Sequence, residues 1–248
     1  MVLRLLVSLA SAMGGALRRA GRGLQRRIAV AVLRRLVAAD LSGTVGGLPF
    51  RMPPGVFPSH LSLSTEMIIA ALAERPGLAQ GGAILEIGTG CGAIVAHLAA
   101  GARRAVATDV SAAALEAARA NLARLGLLDR VELLQSDLFA AVDGRFDLLV
   151  WNPPYFPGRP RDPEEVSILE DGLLGRFLAG ARERLEPSGS VVLALSSLGD
   201  AGAIAAACRG WRCETLARRR ILLEEITVQR LTPAPAQAVP RRGPAQAG

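Results

Sequence analysis

From Ala83 onward the hydrophobic positions alternate between two spacings. Short continuous apolar runs, as expected of strands buried on both faces, are followed by longer segments whose apolar residues recur at helical intervals. Ala83–Ile87, Ala105–Thr108, Val131–Leu134, Phe146–Trp151 and Ser190–Leu195 read as five strands. Helices are predicted after the first strand through about Ala100, over Ser111–Leu125 with Ser111 as cap, over Leu173–Leu185, and over Ala201–Cys208. In Leu173–Leu185, the side chains of Leu174, Phe177, Leu178, Ala181 and Leu185 share one face. Trp211–Ala217 and Leu222–Leu231 read as a closing hairpin across Arg218-Arg219-Arg220. Alternating strands and helices predict an α/β fold: a doubly wound, mostly parallel seven-stranded sheet, covered on both faces and ending in an antiparallel hairpin.

Ahead of this pattern the chain changes character. Residues 43–58 are rich in Gly and Pro and read as an irregular lead-in. Ser64-Thr65-Glu66 then starts a short apolar helix, Met67–Ala73, capped by Ser64 or a neighbour and ended by Pro76-Gly77. Residues 1–39 mix Leu, Val and Ala with Arg, and Ile28, Leu33, Leu36 and Val37 are expected on one stripe with Arg26, Arg27, Arg34 and Arg35 on another side. No stretch reaches the roughly 18 apolar residues of a membrane span. Three readings of residues 1–39 stay open: a helical arm that packs on the domain or lies on an anionic membrane surface, an Arg-rich organelle transit peptide, or a secretory signal. Ala10-Ser11-Ala12 has the cleavage pattern of the last, but Arg4 interrupts a short apolar run. Thr232–Gly248, rich in Pro, Ala, Gln and Gly, is expected to be disordered. The resulting partition is a basic arm or targeting segment over 1–42, a domain over 43–231 and a tail over 232–248.

Charge sharpens this partition. All 29 basic residues are Arg; eight lie in residues 1–39 and two in the tail, both acid-free. Residues 40–231 set 19 Arg against all 22 acids, a net of −3, so the overall +7 belongs to the ends. The middle lacks the general positive charge of a dedicated nucleic-acid binder. Cys91, Cys208 and Cys213 have no C-x-x-C spacing, which argues against a zinc site or disulfide framework and for a reducing compartment. With only His60 and His97, neither a His-based metal centre nor a Ser-His-Asp triad is expected.

The candidate chemistry sits at the ends of the predicted strands. Glu86-Ile87-Gly88-Thr89-Gly90-Cys91-Gly92 follows the first strand and opens a helix, and its glycines allow a tight turn and close approach to a ligand. Such a turn at a strand's carboxyl end is where open α/β sheets bind ligands. Asp109 ends the second strand, 23 residues after Glu86, where a carboxylate can accept from ribose hydroxyls. The third strand runs into Ser136-Asp137-Leu138-Phe139. There Asp137 is placed to accept from an adenine amino group or to cap a helix, and Leu138 or Phe139 to pack on the ring. The fourth strand ends in Asn152-Pro153-Pro154-Tyr155. Neither proline donates a backbone hydrogen bond, so this turn is stiff and poor in donors.

Glu86–Gly92, Asp109, Asp137 and Asn152-Pro153-Pro154-Tyr155 together resemble the class I S-adenosylmethionine-dependent methyltransferases, with their Rossmann-like fold, and most closely the small-domain branch. That branch holds the protein-glutamine N5-methyltransferases of release factors, and its adenine- and guanine-modifying relatives share the Asn-Pro-Pro-Tyr signature. The resemblance covers about residues 56–231. It implies S-adenosylmethionine as cofactor, held by Glu86, Gly88, Thr89, Gly90, Gly92, Asp109, Asp137, Leu138 and Asn152, with no metal. It also implies a release-factor-like protein as substrate and a cytoplasmic enzyme, or one of an organelle matrix if residues 1–39 are a transit peptide. Bacterial glutamine methyltransferases carry a larger helical domain ahead of the catalytic one. In size this chain is closer to shorter relatives that in some lineages work with a small partner subunit.

The resemblance gives the prolines a role. An amide or aromatic amine nitrogen is planar, with a delocalised lone pair. Acceptors on its two N–H bonds, the Asn152 side-chain oxygen and the Pro153 carbonyl, hold that lone pair towards the methyl group, Pro154 stiffens the turn, and Tyr155 stacks on the flat group. The expected function is N-methylation of a protein glutamine amide. The alternatives are an exocyclic amine of RNA or DNA (adenine N6 or guanine N2), a small-molecule amine, or a non-catalytic nucleotide-binding or assembly module. His60 reads as a loop histidine, Thr65 as a cap or a contact, and Cys91 as a buried small side chain. Arg159 and Arg161 read as solvated loop residues or contacts to an acidic partner, and Glu224-Glu225 as edge charge against aggregation.

Overall fold

The structure is a computed structural model that describes residues 15–235. The candidate cleavage site at Ala10-Ser11-Ala12 and most of the expected tail lie outside the described residues. Helix α1 is Gly15–Val37, and a hairpin of β1 (Leu41–Val45) and β2 (Leu48–Met52) follows. After α2 (Leu63–Ala73), the elements β3 (Ala83–Ile87), α3 (Ala93–Leu98), β4 (Arg104–Asp109), α4 (Ala112–Arg124), β5 (Val131–Gln135) and β6 (Phe146–Trp151) alternate. Then come β7 (Phe156–Pro157), α5 (Pro163–Val166), β8 (Leu169–Glu170), α6 (Leu173–Arg184), β9 (Leu185–Ser196), α7 (Ala201–Ala207), β10 (Trp211–Ile221) and β11 (Glu224–Pro233).

The main sheet has the order β10-β11-β9-β6-β3-β4-β5. The pairs among β9, β6, β3, β4 and β5 are parallel, while β11 is antiparallel to both β9 and β10. This is the expected mostly parallel sheet with a terminal hairpin. β3 and β6 are buried along nearly their whole length, as central strands covered on both faces must be. On one face α2, α3, α4 and the β1–β2 hairpin close a core around Phe50, Ile68, Ile84, Leu122 and Leu148. On the other, α6 lays Leu174, Phe177, Leu178 and Ala181 against Phe146, Leu149 and Trp151. The chain winds outward from β3 to β5, returns to β6 beside β3, and continues to β9. The carboxyl ends of β3 and β6 therefore meet where the winding reverses, with Ile87 opposite Trp151.

Four expectations need correction. The irregular lead-in over 43–58 contains the hairpin: Gly46 and Gly47 have φ of +56° and +84°, the left-handed pair that a two-residue turn between twisted strands requires. The closing hairpin turns at Leu222-Leu223, and Arg218, Arg219 and Arg220 are strand residues opposite Thr227, Ile226 and Glu225. The Glu224-Glu225 pair is not edge charge, since β11 lies inside the sheet; Glu225 instead pairs with Arg218 and Arg220 of β10. In α1 the docked face is Ala29, Val30, Leu33 and Val37, packed on Phe156, Ile168 and Leu198. Ile28 stands about 140° round the helix from Leu33 and is exposed.

The hairpin is pinned through one buried amide. Asn121 of α4, 1% exposed, accepts from the Arg51 N–H at 2.9 Å and donates to the carbonyls of Arg51 at 2.8 Å and Cys91 at 2.9 Å. It thereby ties β2 and the Gly88–Gly92 turn to one helix. Asn121→Ala strands these backbone groups and is expected to cost about 2–4 kcal/mol in urea denaturation. A loss below about 0.5 kcal/mol would show that the hairpin is held by packing alone.

Candidate functional site

The Gly turn after β3 is built from beneath. Glu86, 3% exposed, accepts at one oxygen from the Thr89 hydroxyl at 2.7 Å and from the Val95 N–H at 3.0 Å. Gly88, Gly90 and Gly92 all have positive φ, and a Cβ on Gly92 would stand 3.3 Å from the Cβ of Ala118 in α4. A Cβ on Gly90 would meet nothing within 4 Å, so that residue faces open space. The turn is tied to β4 by the Thr89 N–H on the Thr108 carbonyl and the Gly90 N–H on Asp109 Oδ2, both at 2.9 Å. Asp109 Oδ1 accepts from the Ser111 N–H at 2.9 Å.

A cavity of 330 Å³ opens over this turn. Glu86, Gly88, Thr89, Gly90, Asp109, Asp137, Leu138, Asn152, Pro153, Pro154 and Tyr155 all line it, so the turn and the Asn-Pro-Pro-Tyr segment share one space. Gly92 is absent from the lining and packs behind it on α4. Asp137 stands at the rim, with Arg176 Nη2 on its Oδ2 at 2.7 Å and both side chains more than half exposed. Leu138 is left-handed at φ 50°, which costs about 1–2 kcal/mol, and the Ser136 hydroxyl holds that bend by donating to the Leu138 carbonyl at 2.9 Å. Tyr155 packs its ring near Phe156, and burial, with the Glu224 carboxylate adding, pushes its phenol above the ordinary range. Pro153, Pro154 and Tyr155 also wall a second, larger cavity of 650 Å³ between α6 and α7, which the Gly turn and Asp109 do not reach.

Asn152 is held from one side. Its Nδ2 donates to Thr65 Oγ1 at 3.0 Å and stands 3.5 Å from Ser62 Oγ. Thr65 Oγ1 in turn donates to Ser62 Oγ at 2.9 Å, so it is an acceptor for the amide, and Ser62 Oγ lies 3.0 Å from Ser64 Oγ. The cap of α2 is Ser62, which accepts from the Thr65 N–H, and not Ser64. Asn152 Oδ1 is buried and has no hydrogen-bond partner among the described residues. A buried acceptor left this way costs about 1–3 kcal/mol.

Other candidates fall away from the cavity. Cys91 is fully buried, and burial pushes its thiol up to about 11, which keeps it protonated and unreactive. His60 lies against Gly43 and Met52. Arg159 is exposed and 3.9 Å from Asp171, while Arg161 donates its backbone N–H to Glu165. Sequence reasoning missed the hydroxyl chain behind Asn152. It also missed part of the cavity lining: Leu33 of α1, Val166, Ser167 and Ile168. The cluster Ser62, Ser64, Thr65 was visible as a signal, but its partner lies 87 residues away. Among the described residues no helix is long and apolar enough to cross a membrane, and no cluster of His, Cys, Asp or Glu could hold a metal ion.

Residues 47–207 match the family model of the methyltransferase small domain. A release factor glutamine methyltransferase of Moorella thermoacetica is 39% identical over 165 residues, covering 60% of this chain and 58% of that protein. The ribosomal RNA small subunit methyltransferase C of Salmonella choleraesuis is 33% identical over 144 residues, covering 57% of this chain and 40% of that protein. The T. thermophilus 16S rRNA N2 G1207 methyltransferase, solved with AdoMet and guanosine, superposes with a TM-score of 0.60 at 23% identity, covering 79% of this chain and 50% of that one. The chain therefore spans well under two thirds of the length of both curated relatives.

Glu86 titrates far from its ordinary value. Burial, with Asp109 adding, outweighs the bonds from Thr89 and Val95 and raises its pKa from 4.5 to about 8. The folded state thus keeps a proton that the unfolded chain has lost, so stability from this group is full below about 4.5 and declines as pH rises towards 8. Glu86→Gln mimics the neutral acid and is expected to flatten that decline in urea midpoints measured across the window. An unchanged pH profile would show that Glu86 is ionised in the fold.

Proposed function

This chain belongs to the methyltransferase small domain family, and from that premise we propose that it is an S-adenosylmethionine-dependent N-methyltransferase. In this reading the acceptor is a planar nitrogen, first of all a protein glutamine amide, the acceptor class named for the Moorella relative. The observation that carries the reading is the unpartnered Asn152 Oδ1, set beside the Gly turn by the Ile87–Trp151 register. The residues present suit the cofactor: Gly90 faces open space, Asp109 presents a carboxylate at the end of β4, and both line the same cavity as Asn152. Gly88, Thr89 and Gly90 would hold it by close backbone approach, with Glu86 and Gly92 shaping the turn from behind. Asp109 would take its ribose hydroxyls and Asp137 with Leu138 its adenine. When bound, S-adenosylmethionine supplies a methyl group on a cationic sulfonium.

The chain's own work is on the acceptor. Asn152 Oδ1 takes one N–H of the flat amide and the Pro153 carbonyl the other, which leaves the nitrogen lone pair directed at the methyl. Positioning of this kind is worth roughly 7–11 kcal/mol in favourable systems. The same negative dipoles favour the positive charge that develops on nitrogen during attack. Tyr155 stacks on the group, and the prolines keep competing N–H donors out of the turn. A second reading, transfer to an exocyclic amine of an RNA base, is favoured by the likeness to the ribosomal RNA enzyme. A small partner subunit enters only through the likeness to shorter relatives. Incubating cell extract with labelled S-adenosylmethionine and separating protein, RNA and small molecules decides between acceptors. No heat on titrating the cofactor into the protein would return the chain to a non-catalytic binding or assembly module.

Asn152→Ala is expected to reduce transfer roughly 100- to 1000-fold or more while cofactor affinity stays within a few-fold. Asp109→Ala is expected to weaken the cofactor itself about tenfold or more, measured by calorimetry. Normal methylation by Asn152→Ala would end the assigned mechanism. Thr65→Val removes the hydroxyl that fixes the Asn152 amide. It should lower kcat about tenfold with cofactor affinity unchanged, and Thr65→Ser, which keeps the hydroxyl, should restore it.

A further inference from the structure

Helix α1 has two apolar faces, and the fold uses one. Ala29, Val30, Leu33 and Val37 dock it on Phe156, Ile168 and Leu198. Arg34 fastens the same side through Nη2 to Asp162 at 2.7 Å and Nη1 to Glu165 at 2.8 Å. On the far side Leu24, Ile28 and Val32 are 61%, 56% and 48% exposed. Their spacing of four places them on one line along the helix, one residue per turn. Single exposed aliphatics are ordinary, but three aligned on a helix that already has a buried face are not.

The charge around this line is one-sided. The 23-residue helix carries seven Arg and no acid, and Arg27 and Arg35 are exposed beside the stripe. We infer that α1 is a surface-binding helix that seats the Leu24–Ile28–Val32 line in an anionic lipid bilayer, with Arg27 and Arg35 on the headgroups. An apolar line bordered by cations suits a headgroup boundary, where the line sinks about 5–10 Å and each exposed Arg strengthens binding about fivefold. A nucleic acid would satisfy the arginines through its phosphates but leave the aliphatic line without an apolar surface to cover it. A second copy of the chain would bury only three such side chains, far short of the roughly 800 Å² per partner of a stable interface. Leu33, on the docked face, also lines the cavity, so a bilayer-bound α1 would set the cavity mouth close to the lipid surface. The inference does not depend on the methyl-transfer reading.

The test is flotation of the full chain with vesicles of phosphatidylcholine, with and without phosphatidylglycerol. The wild type is expected to float with the anionic vesicles and to bind neutral ones at least about tenfold more weakly. The triple variant Leu24→Ser/Ile28→Ser/Val32→Ser should lose about tenfold or more of the anionic binding. Arg27→Gln and Arg35→Gln should each lose about fivefold. The urea midpoints of all variants should match the wild type, because none of these side chains belongs to the docked face. Failure of the wild type to float would overturn the proposal, and so would wild-type flotation by the triple variant, which would place binding elsewhere in the chain. Two other results would assign the face differently and equally overturn it: salt-sensitive binding to single-stranded RNA with none to vesicles, or a dimer in sedimentation that the triple variant dissolves.

Discussion

The Asn152 amide is fixed through its nitrogen and has no partner for its oxygen among the described residues. Thr65 spends its own proton on Ser62, so the only role it can offer Asn152 is that of acceptor. That forces the NH2 end of the amide towards α2 and leaves the carbonyl end buried without a partner among the described residues. A solvated asparagine would exchange the two ends freely. Here the exchange would set a donor where the acceptor stands and confront Thr65 Oγ1 with a second acceptor. The hydroxyl chain on α2 thus decides what kind of hydrogen the site can receive.

The rest of the fold keeps that amide in place. β6 is buried along most of its length and ends in Trp151, whose ring meets Phe177 of α6 at 4.5 Å between centroids. α2 is held on the opposite face by Met67, Ile68, Ile69 and Leu72 in the larger core. Asn152 and Thr65 therefore come from different layers of the domain, the sheet and a helix packed on it, and a shift of either layer by a few tenths of an ångström would lengthen their bond. Dense packing of both cores supplies the rigidity that a single 3.0 Å contact lacks.

Much of this was legible in the sequence because its physics is local. Central strands betrayed themselves as continuous apolar runs, and Phe146–Trp151 was delimited correctly because Pro153 cannot follow in a strand. Glu86–Gly92, Asp109 and Asn152–Tyr155 were brought together by the register of neighbouring strands, which the alternating pattern implies, and the family they suggested is the one that matches. What escaped was nonlocal or chemically ambiguous. Gly46-Gly47 was absorbed into a Gly- and Pro-rich stretch although it is a hairpin turn. Ile28 was assigned to one stripe with Leu33, Leu36 and Val37 because several faces of an Ala/Leu/Val/Arg helix look alike until a docking surface selects one. Arg218–Arg220 looked like a loop because charge suggests solvent, but a strand at a sheet edge is solvated too.

The two ends of the cavity are built from different material, and the contrast is itself informative. The Gly turn rests on five-residue and six-residue parallel strands set between the two cores, a buried carboxyl group and a buried Asn121. The opposite side is assembled from α5 with four residues, β7 and β8 with two each, and α1, joined by a small apolar cluster and the Arg34 ion pairs. Those ion pairs are partly solvated, so they contribute little more than orientation. A site in which one ligand is common to many chemistries and the other is particular would be divided in this way: deep core where the shared ligand binds, short replaceable elements where the particular one enters. Variation in α1, α5 and the β7–β8 pair can then change what reaches Asn152 without disturbing the amide or the strands that present it.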